Sequence, residues 1–378
     1  MVQKHQRLEK EIDNSMEWKP SEVPMRRALE LARKAWGETH PNPMVGAVIT
    51  EGDVIVAEGF HAKAGEPHAE VQALRALGRP PKPNAVLYVT LEPCSTHGRT
   101  PPCVDAIVAS GIKTVVVGAE DPNPLHAGKG LTHLRNHGIK VFSGVLADAC
   151  TDLNLIFNHW IKTQRPFVAV KVASTLDGRL VAMEGAGPYI TGELARADVQ
   201  NWRKLFPAIA VSVDTLLKDN PRLTARLPGN ESCPIRFVLD RHFRSAGKKG
   251  LNLFQDVYRD RTIVVGLKSS AKSADLHWYE AEGIKVWCLE GTADEFLFHW
   301  LDTCAAQSIV GVYVEAGPRL ASVFLNHHCA DYFFAYYSPM ISGNPNSPAW
   351  TEGSLPQLSM GRTQAFGQDV LFRGFLAQ

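Results

Sequence analysis

Residues 85–103 read AVLYVTLEPCSTHGRTPPC. The first seven are apolar apart from Thr90 and rich in β-formers, which reads as a buried strand. The Pro- and Gly-rich run at 92–103 then breaks the strand into a loop. Cys103–Ser110 reads as a helix. Outward from this core, VGAVIT at 45–50 and VIVAEGF at 54–60 are two further strands, separated by Glu51, Gly52 and Asp53. Pro67–Leu77 fits a helix with Pro67 in its first turn. Upstream, Met25–Trp36 has the apolar spacing of an amphipathic helix. Downstream come the strand TVVVG at 114–118, a helix near 128–137 and the strand IKVF at 139–142. This α/β alternation spans about 120 residues, the size of one domain.

The pattern then restarts. VLADACTDLNLIFNHWI, within 144–164, is expected to form a connecting helix. FVAVKVAST follows as a strand, then the turn LDGR at 176–179 and a helix over Thr191–Phe206. Strands are expected at AIAVSV, IRFVLD, TIVVGL, IKVWCL and IVGVYVEAG, then a helix at Pro318–Asn326 and the strand YFFAYYS. The expected plan is a first domain over 1–147 with a polar lead-in at 1–20, a connecting helix at 148–165, and a second domain over 166–378. Both are α/β, and the second carries a mostly parallel sheet.

The chain has 378 residues, a formal net charge of +1 and 45% hydrophobic residues, which suits two buried cores in a soluble protein. The charge balance argues against nucleic acid or anionic lipid as the main partner. No apolar run approaches the ~20 residues needed to cross a bilayer. The charged N-terminus does not read as a secretory signal. Seven cysteines, an odd and thinly spread set, suit a reducing cytoplasm.

His68-Ala69-Glu70, Pro93-Cys94 and Pro102-Cys103 carry the chemistry. One imidazole and two thiolates suit Zn2+, and three protein ligands leave the fourth position to water, as in a catalytic site. Zinc lowers the pKa of such a water to about 7. Glu70, two residues past the histidine, could move protons. The proline before each cysteine suits a helix start, where the dipole favours a thiolate. Taken singly, HAE is as well explained by an ordinary helix start, and two cysteines nine positions apart carry little. A histidine–glutamate pair with two cysteines is the pattern of zinc-dependent nucleobase deaminases, though the usual cysteine spacing is two intervening residues and here it is eight. Cys150, Cys233, Cys288, Cys304 and Cys329 have no ligand spacing and are expected to pack in apolar surroundings. His61 could line the pocket or sit at a strand end on the surface. His327-His328-Cys329 superficially suggests a metal site, but the histidine pair reads as a solvated helix end with no further partner.

THPNPMVGAVI at 39–49, AGEPHAEVQAL at 64–74, LEPCSTHGRTPPC at 91–103 and DPNP at 121–124 resemble the riboflavin-biosynthesis deaminase family. The resemblance implies a cytidine-deaminase-like fold and hydrolytic removal of an amine from a diaminopyrimidinone ribose phosphate. It puts His68, Cys94 and Cys103 on the zinc, Glu70 on the proton shuttle, Asn42 against the base, and Arg99 and Asn123 near the ribose phosphate. Thr96 followed by His97 departs from the family, which has histidine directly after Cys94-Ser95.

Residues alone say less of the second half. There is no G-x-G-x-x-G after a strand. Lys171 alternates into an apolar strand, and a buried lysine needs a partner or a task. Asp177-Gly178 reads as a tight turn, and Glu315 sits where a strand meets Gly317-Pro318 and a helix, a place where ligands bind in open α/β sheets. A plain turn and a plain helix-start acid explain these two equally well. KVASTLDGR, GPYITG, TLLKDNPRLTAR and VEAGPRLA resemble the riboflavin-biosynthesis reductase domain, which has a dihydrofolate-reductase-like fold and uses NADPH. The resemblance implies hydride transfer to the ribose carbon that bears the amine. It puts Ala173, Tyr189, Thr215, Asp219 and Gly317 against the cofactor, Arg203, Leu223, Arg226 and Glu315 against the substrate, and Lys171 as a donor near the sugar. Gly187, Pro188, Tyr189 and Asn220 depart from the usual residues. A bifunctional enzyme acting on small pyrimidine ribose phosphates follows, homo-oligomeric and without a nucleic-acid or membrane partner. A deaminase fused to an impaired reductase-like domain, and a nucleoside or tRNA base deaminase, are the alternatives.

Overall fold

The computed structural model describes residues 18–96, 101–180, 189–349 and 357–377. The chain forms two units: residues 1–35 with 44–154, and residues 36–43 with 155–378.

In the first unit, helix α1 (Glu22–Arg33) starts three residues before the expected Met25, because Ser21 caps it by accepting from Val23 N–H. It stops before Trp36. The hairpin β1 (Gly46–Glu51) and β2 (Val54–Phe60) follows the expected turn. Helix α2 (Ala69–Leu77) begins with His68 as its N-cap residue. Then come β3 (Ala85–Leu91), α3 (Cys103–Ser110), β4 (Thr114–Ala119), α4 (Lys129–Asn136) and β5 (Lys140–Ser143). The five-stranded sheet has the order β2-β1-β3-β4-β5, with β1 antiparallel to β2 and β3, and β3, β4 and β5 parallel. That pairing brings the end of β2 and the carboxyl ends of β3 and β4 to one edge. Leu87 and Val89 of β3 are wholly buried. Each such side chain contributes about 1.5–3 kcal/mol.

Gly59 sets the distance between helix and sheet. A Cβ there would lie 2.4 Å from Ala73 N and 2.5 Å from Ala69 O. Any side chain would therefore lift α2, and with it His68 and Glu70, off the strand.

The connecting helix expected at 148–165 is two helices. Helix α5 (Ala147–Leu153) belongs to the first unit and α6 (Leu155–Thr163) to the second. Asn154 breaks them apart. Its side chain is spent on the backbone of Met44, accepting from Met44 N–H at 2.8 Å and donating to Met44 O at 2.9 Å.

The second unit carries β6 (Phe167–Ser174), α7 (Glu193–Leu205), β7 (Ala208–Ser212), α8 (Val213–Asp219), the short hairpin β8 (Ala225–Leu227) and β9 (Asn230–Ser232), and β10 (Ile235–Leu239). It continues with α9 (Asn252–Gln255), β11 (Thr262–Leu267), α10 (Ser273–Ala281), β12 (Lys285–Leu289), α11 (Phe296–Ala306), β13 (Gly311–Glu315), α12 (Pro318–Asn326), β14 (Tyr332–Tyr337), β15 (Leu358–Phe366) and β16 (Asp369–Leu376). The nine-stranded sheet has the order β12-β11-β10-β7-β13-β6-β14-β16-β15. Strands from β12 to β14 are parallel to their neighbours, and the last two are antiparallel. Val168, Val170 and Val172 face a core with Phe324 and Trp300. The alternating Ala169, Lys171 and Ala173 face the other side, where Trp202 of α7 meets Phe334 at a centroid distance of 4.7 Å. Cys288 departs from the expected burial: it is exposed, because β12 is an edge strand with one neighbour. Among the described residues no helix is long and apolar enough to cross a membrane.

Candidate metal centre and second-unit site

Three side chains from three places in the sequence converge at the common strand edge of the first unit. His68 closes the loop after β2, Cys94 follows β3, and Cys103 is the first residue of α3. His68 Nδ1 lies 3.2 Å from Cys103 Sγ and 3.6 Å from Cys94 Sγ. The three ligand atoms all lie within 4.8 Å of one another. Bonds of about 2.0–2.3 Å to a tetrahedral zinc put neighbouring ligand atoms roughly 3.5 Å apart, so the trio fits that ion. Among the described residues no fourth histidine, cysteine or carboxylate joins the group, as an open catalytic site requires.

The electrostatics match. A hydrogen bond from Cys103 and the neighbouring His68 pull the Cys94 thiol down to about 4. Cys94 and burial push Cys103 up. Two thiols this close share a proton, and a cation between them would take its place. Cys103 begins a helix as expected, but Cys94 does not: it lies in the loop and accepts from Cys103 N–H at 3.4 Å. The start of α3 thereby favours both sulfurs.

Glu70 lies in the first turn of α2 and is 3% exposed. Burial raises its carboxyl to about 7, near the pH at which a group can both take and return a proton. His61 belongs inside, not at the surface. It is buried, its ring lies edge-on to His68 at 5.3 Å, and burial lowers its pKa.

The remaining sequence-derived residues of this half divide three ways. Asn123 sits in the loop after β4, its N–H donating to Asp121 Oδ1 at 2.9 Å and its Oδ1 accepting from Leu125 N–H at 3.0 Å. Asn42 belongs to the second unit's residues 36–43, where its N–H donates to Thr39 O at 2.8 Å. Arg99 and His97 lie outside the described residues. Sequence reasoning missed Glu92, whose buried carboxylate ties down the loop that holds Asn123. Its place directly before Pro93-Cys94 was the available signal.

In the second unit, β7, β13 and β6 run parallel side by side, so their carboxyl ends lie together, the place where ligands bind in open α/β sheets. Lys171 and Glu315 are register partners on adjacent strands. Arg203, from α7, donates to Glu315 through Nε at 2.6 Å and Nη2 at 2.9 Å, and to Thr224 O at 3.0 Å. Burial alone would raise the Glu315 carboxyl, but Arg203 and Lys171 outweigh it and hold it below its ordinary value. Burial lowers the Lys171 ammonium, and Glu315 restrains the fall. Its Nζ stands 5.9 Å from the Tyr336 ring centroid.

Arg203 and Arg226 differ in how far their donors are already engaged. Three of the five Arg203 donors are committed inside the protein. Arg226 spends Nη1 on Thr224 Oγ1 at 2.9 Å. Burial and the like charges of Arg203 and Arg222 lower its pKa, and the nearby Glu231 opposes them. Leu223 is buried with φ 53° on the loop before Arg226.

Thr215 and Gly317 come together at the ends of β7 and β13. A Cβ on Gly317 would lie 3.7 Å from Thr215 Oγ1, and Gly317 opens α12. Ala173 is half-buried at the end of β6, and Asp219 is exposed at the end of α8. Tyr189 is exposed and packs on the Arg196 guanidinium at 4.5 Å. Asn220 closes α8 and holds the loop ahead of α9, accepting from Asn252 N–H at 2.7 Å and donating to Gly250 O at 2.9 Å. Gly187 and Pro188 lie outside the described residues. Asp198 went unread in the sequence: it accepts from Tyr336 Oη at 2.6 Å and Trp202 Nε1 at 3.1 Å, joining α7 to β14.

The model of the cytidine and deoxycytidylate deaminase zinc-binding region matches residues 19–119, and that of the RibD C-terminal domain matches residues 166–372. The riboflavin biosynthesis protein RibD of Aquifex aeolicus is 42% identical over 320 residues, which is 84% of this chain and 87% of that protein. RibD of Bacillus amyloliquefaciens is 38% identical over 92% of this chain and 94% of its own. The crystal structure of a diaminohydroxyphosphoribosylaminopyrimidine deaminase/5-amino-6-(5-phosphoribosylamino)uracil reductase from Thermotoga maritima is similar with a TM-score of 0.79 and 37% identity, covering 94% of this chain and 98% of that one. Acinetobacter baumannii RibD gives a TM-score of 0.74 and 35% identity, covering 94% of this chain and 99% of that one. With a deaminase fold ahead of a dihydrofolate-reductase-like fold, and with a zinc-fitting trio in the first, the chain belongs to the RibD family, bifunctional zinc-dependent deaminases and NADPH-dependent reductases of riboflavin biosynthesis.

Proposed function

We propose that the first unit deaminates 2,5-diamino-6-ribosylamino-4(3H)-pyrimidinone 5′-phosphate and that the second reduces the ribosyl chain of the product to ribityl. The observation that carries the reading is His68 Nδ1 with two sulfurs in one cluster, beside the buried carboxyl of Glu70. His68, Cys94 and Cys103 hold the zinc, which when bound activates water and acts as a Lewis acid. Glu70 takes a proton at its carboxylate and returns it to the departing amine. Its burial keeps bulk water from competing for that proton. Asn42, Arg99 and Asn123 are substrate contacts of the same reading.

In the second unit Thr215, Gly317, Ala173, Tyr189 and Asp219 receive NADPH, which supplies the hydride. Lys171 holds a donor toward the sugar, and the charge of Glu315 opposes the fall in its pKa that burial causes. Arg203 positions Glu315. Arg226, the more lightly committed arginine, takes the substrate phosphate, with Leu223 shaping the loop beside it. The substrates are small molecules, nucleic acid is no partner, and the protein is a homo-oligomer of the cytoplasm.

The test is to incubate purified protein with the diaminopyrimidinone phosphate, with and without NADPH. Ammonia release in both arms and NADPH consumption in one are expected. No ammonia from zinc-loaded protein overturns the deaminase reading. Ammonia without NADPH consumption overturns the reductase reading and leaves a deaminase fused to a spent reductase fold. Turnover of cytidine or a tRNA adenosine in place of this substrate would redirect the first.

A further inference from the structure

Glu92 is buried at the end of β3, one residue before Pro93-Cys94. A carboxylate out of water must be met by donors, and here all of them are backbone. Its Oε2 accepts from Asp121 N–H and Gly128 N–H, each at 3.0 Å. Its Oε1 accepts from Gly130 N–H at 2.8 Å and Leu131 N–H at 3.3 Å. Its own N–H donates to Ala119 O at 2.9 Å.

These bonds have two consequences. Helix α4 has no acidic residue in its first turn, and its N-cap, Gly128, has no side chain to offer. Glu92 supplies both the cap and the negative charge from the neighbouring strand. The same carboxylate grips Asp121 on one side of Asn123 and Gly128 on the other. The loop between them is therefore held at both ends by the residue that leads into a metal ligand. The fit is close: a Cβ on Gly130 would lie 2.3 Å from Pro93 O and 3.1 Å from Glu92 Oε1. Glu92 contacts none of His68, Cys94 or Cys103 through a bond of its side chain among those described.

We propose that Glu92 is a positioning residue for deamination, fixing the Asn123 loop against the strand that carries Cys94 so that the ribose-phosphate contacts and the metal ligands keep one spacing. The inference rests on the substrate role given to Asn123 above. It assigns Glu92 to substrate affinity, not to the proton or the metal.

Glu92→Gln and Glu92→Ala, with Asn123→Ala for reference, test it. Ammonia-release kcat and KM, zinc per chain, and reductase activity on the deaminated product are measured on the full-length protein. Glutamine keeps one acceptor oxygen and turns a donor toward the other pair of N–H groups. The expected result is a KM raised about tenfold in Glu92→Gln and further in Glu92→Ala, with kcat per zinc within a few-fold, zinc retained and reductase unchanged. Should Glu92→Ala fail to fold, Glu92→Gln alone decides. An unchanged KM in Glu92→Gln alongside a raised KM in Asn123→Ala overturns the role of Glu92. So does a fall in kcat and zinc together at constant KM, which is a purely structural role. A raised KM in Glu92→Gln with no change in Asn123→Ala supports the loop clamp and removes Asn123 from the substrate.

Discussion

Glu315→Gln takes one negative charge from a place where two cations face it. The Arg203 and Glu315 side chains are only 11% and 16% exposed, so little solvent can replace the lost partner. Removing one member of a buried pair typically costs 3–5 kcal/mol, and the glutamine oxygen keeps part of it, so about 3 kcal/mol is expected. That is roughly a 100-fold shift in the opening equilibrium. The chain has two units, so a single melting curve would mix them. Hydrogen exchange over Gly311–Glu315 and Glu193–Leu205 isolates the effect, and protection there should fall about 100-fold. The same substitution acts on Lys171. Burial lowers its pKa and Glu315 restrains the fall, so removing Glu315 lets it fall further. The ammonium is then lost at a lower pH, and the basic limb of the reductase pH profile moves toward acid. Unchanged protection together with an unmoved basic limb would refute both the pair and its hold on the lysine.

Glu70→Gln should keep its zinc and its reductase activity while ammonia release falls by about 10²–10⁴; deamination at the wild-type rate would remove Glu70 from the proton path. Arg226→Ala should raise KM for the reductase substrate by about 10–100-fold, the loss of one or two charged hydrogen bonds, with NADPH affinity unchanged, as titration calorimetry can separate. Lys171 also predicts a pH dependence of stability. Its folded pKa lies below the ordinary value of 10.5. The buried charge therefore opposes folding most at low pH, and protection of the second unit should rise with pH between the two values. Flat protection across that window would contradict the burial of a charged amine.

The parts of the fold legible in the sequence are those whose ends carry local punctuation. Helix Cys103–Ser110 lies between Pro102 and Gly111, and the hairpin after Glu51 turns on Gly52 with φ 64°. The zinc trio was legible because ligand chemistry restricts residue types. The Arg203–Glu315 pair was not, since 112 residues separate its members. The break at Asn154 was hidden because its cause is the backbone of Met44, 110 residues away. The C-terminal hairpin β15–β16 went unread as well. Gly361, Arg362 and Gln364 interrupt the apolar alternation of β15, and its pairing register shifts between Ser359 and Arg362. Glu92 looked like part of a loop because its four partners are backbone groups, which leave no mark in residue types.

Elemental analysis of the purified full-length protein puts the metal centre to the most direct test. One zinc per chain in the unsubstituted protein and in Glu70→Gln, with loss in Cys103→Ser and His68→Ala, is the result expected of a three-ligand site with a carboxylate beside it. A protein that releases ammonia while holding no transition metal, or that keeps its zinc without Cys103 and His68, would contradict the account.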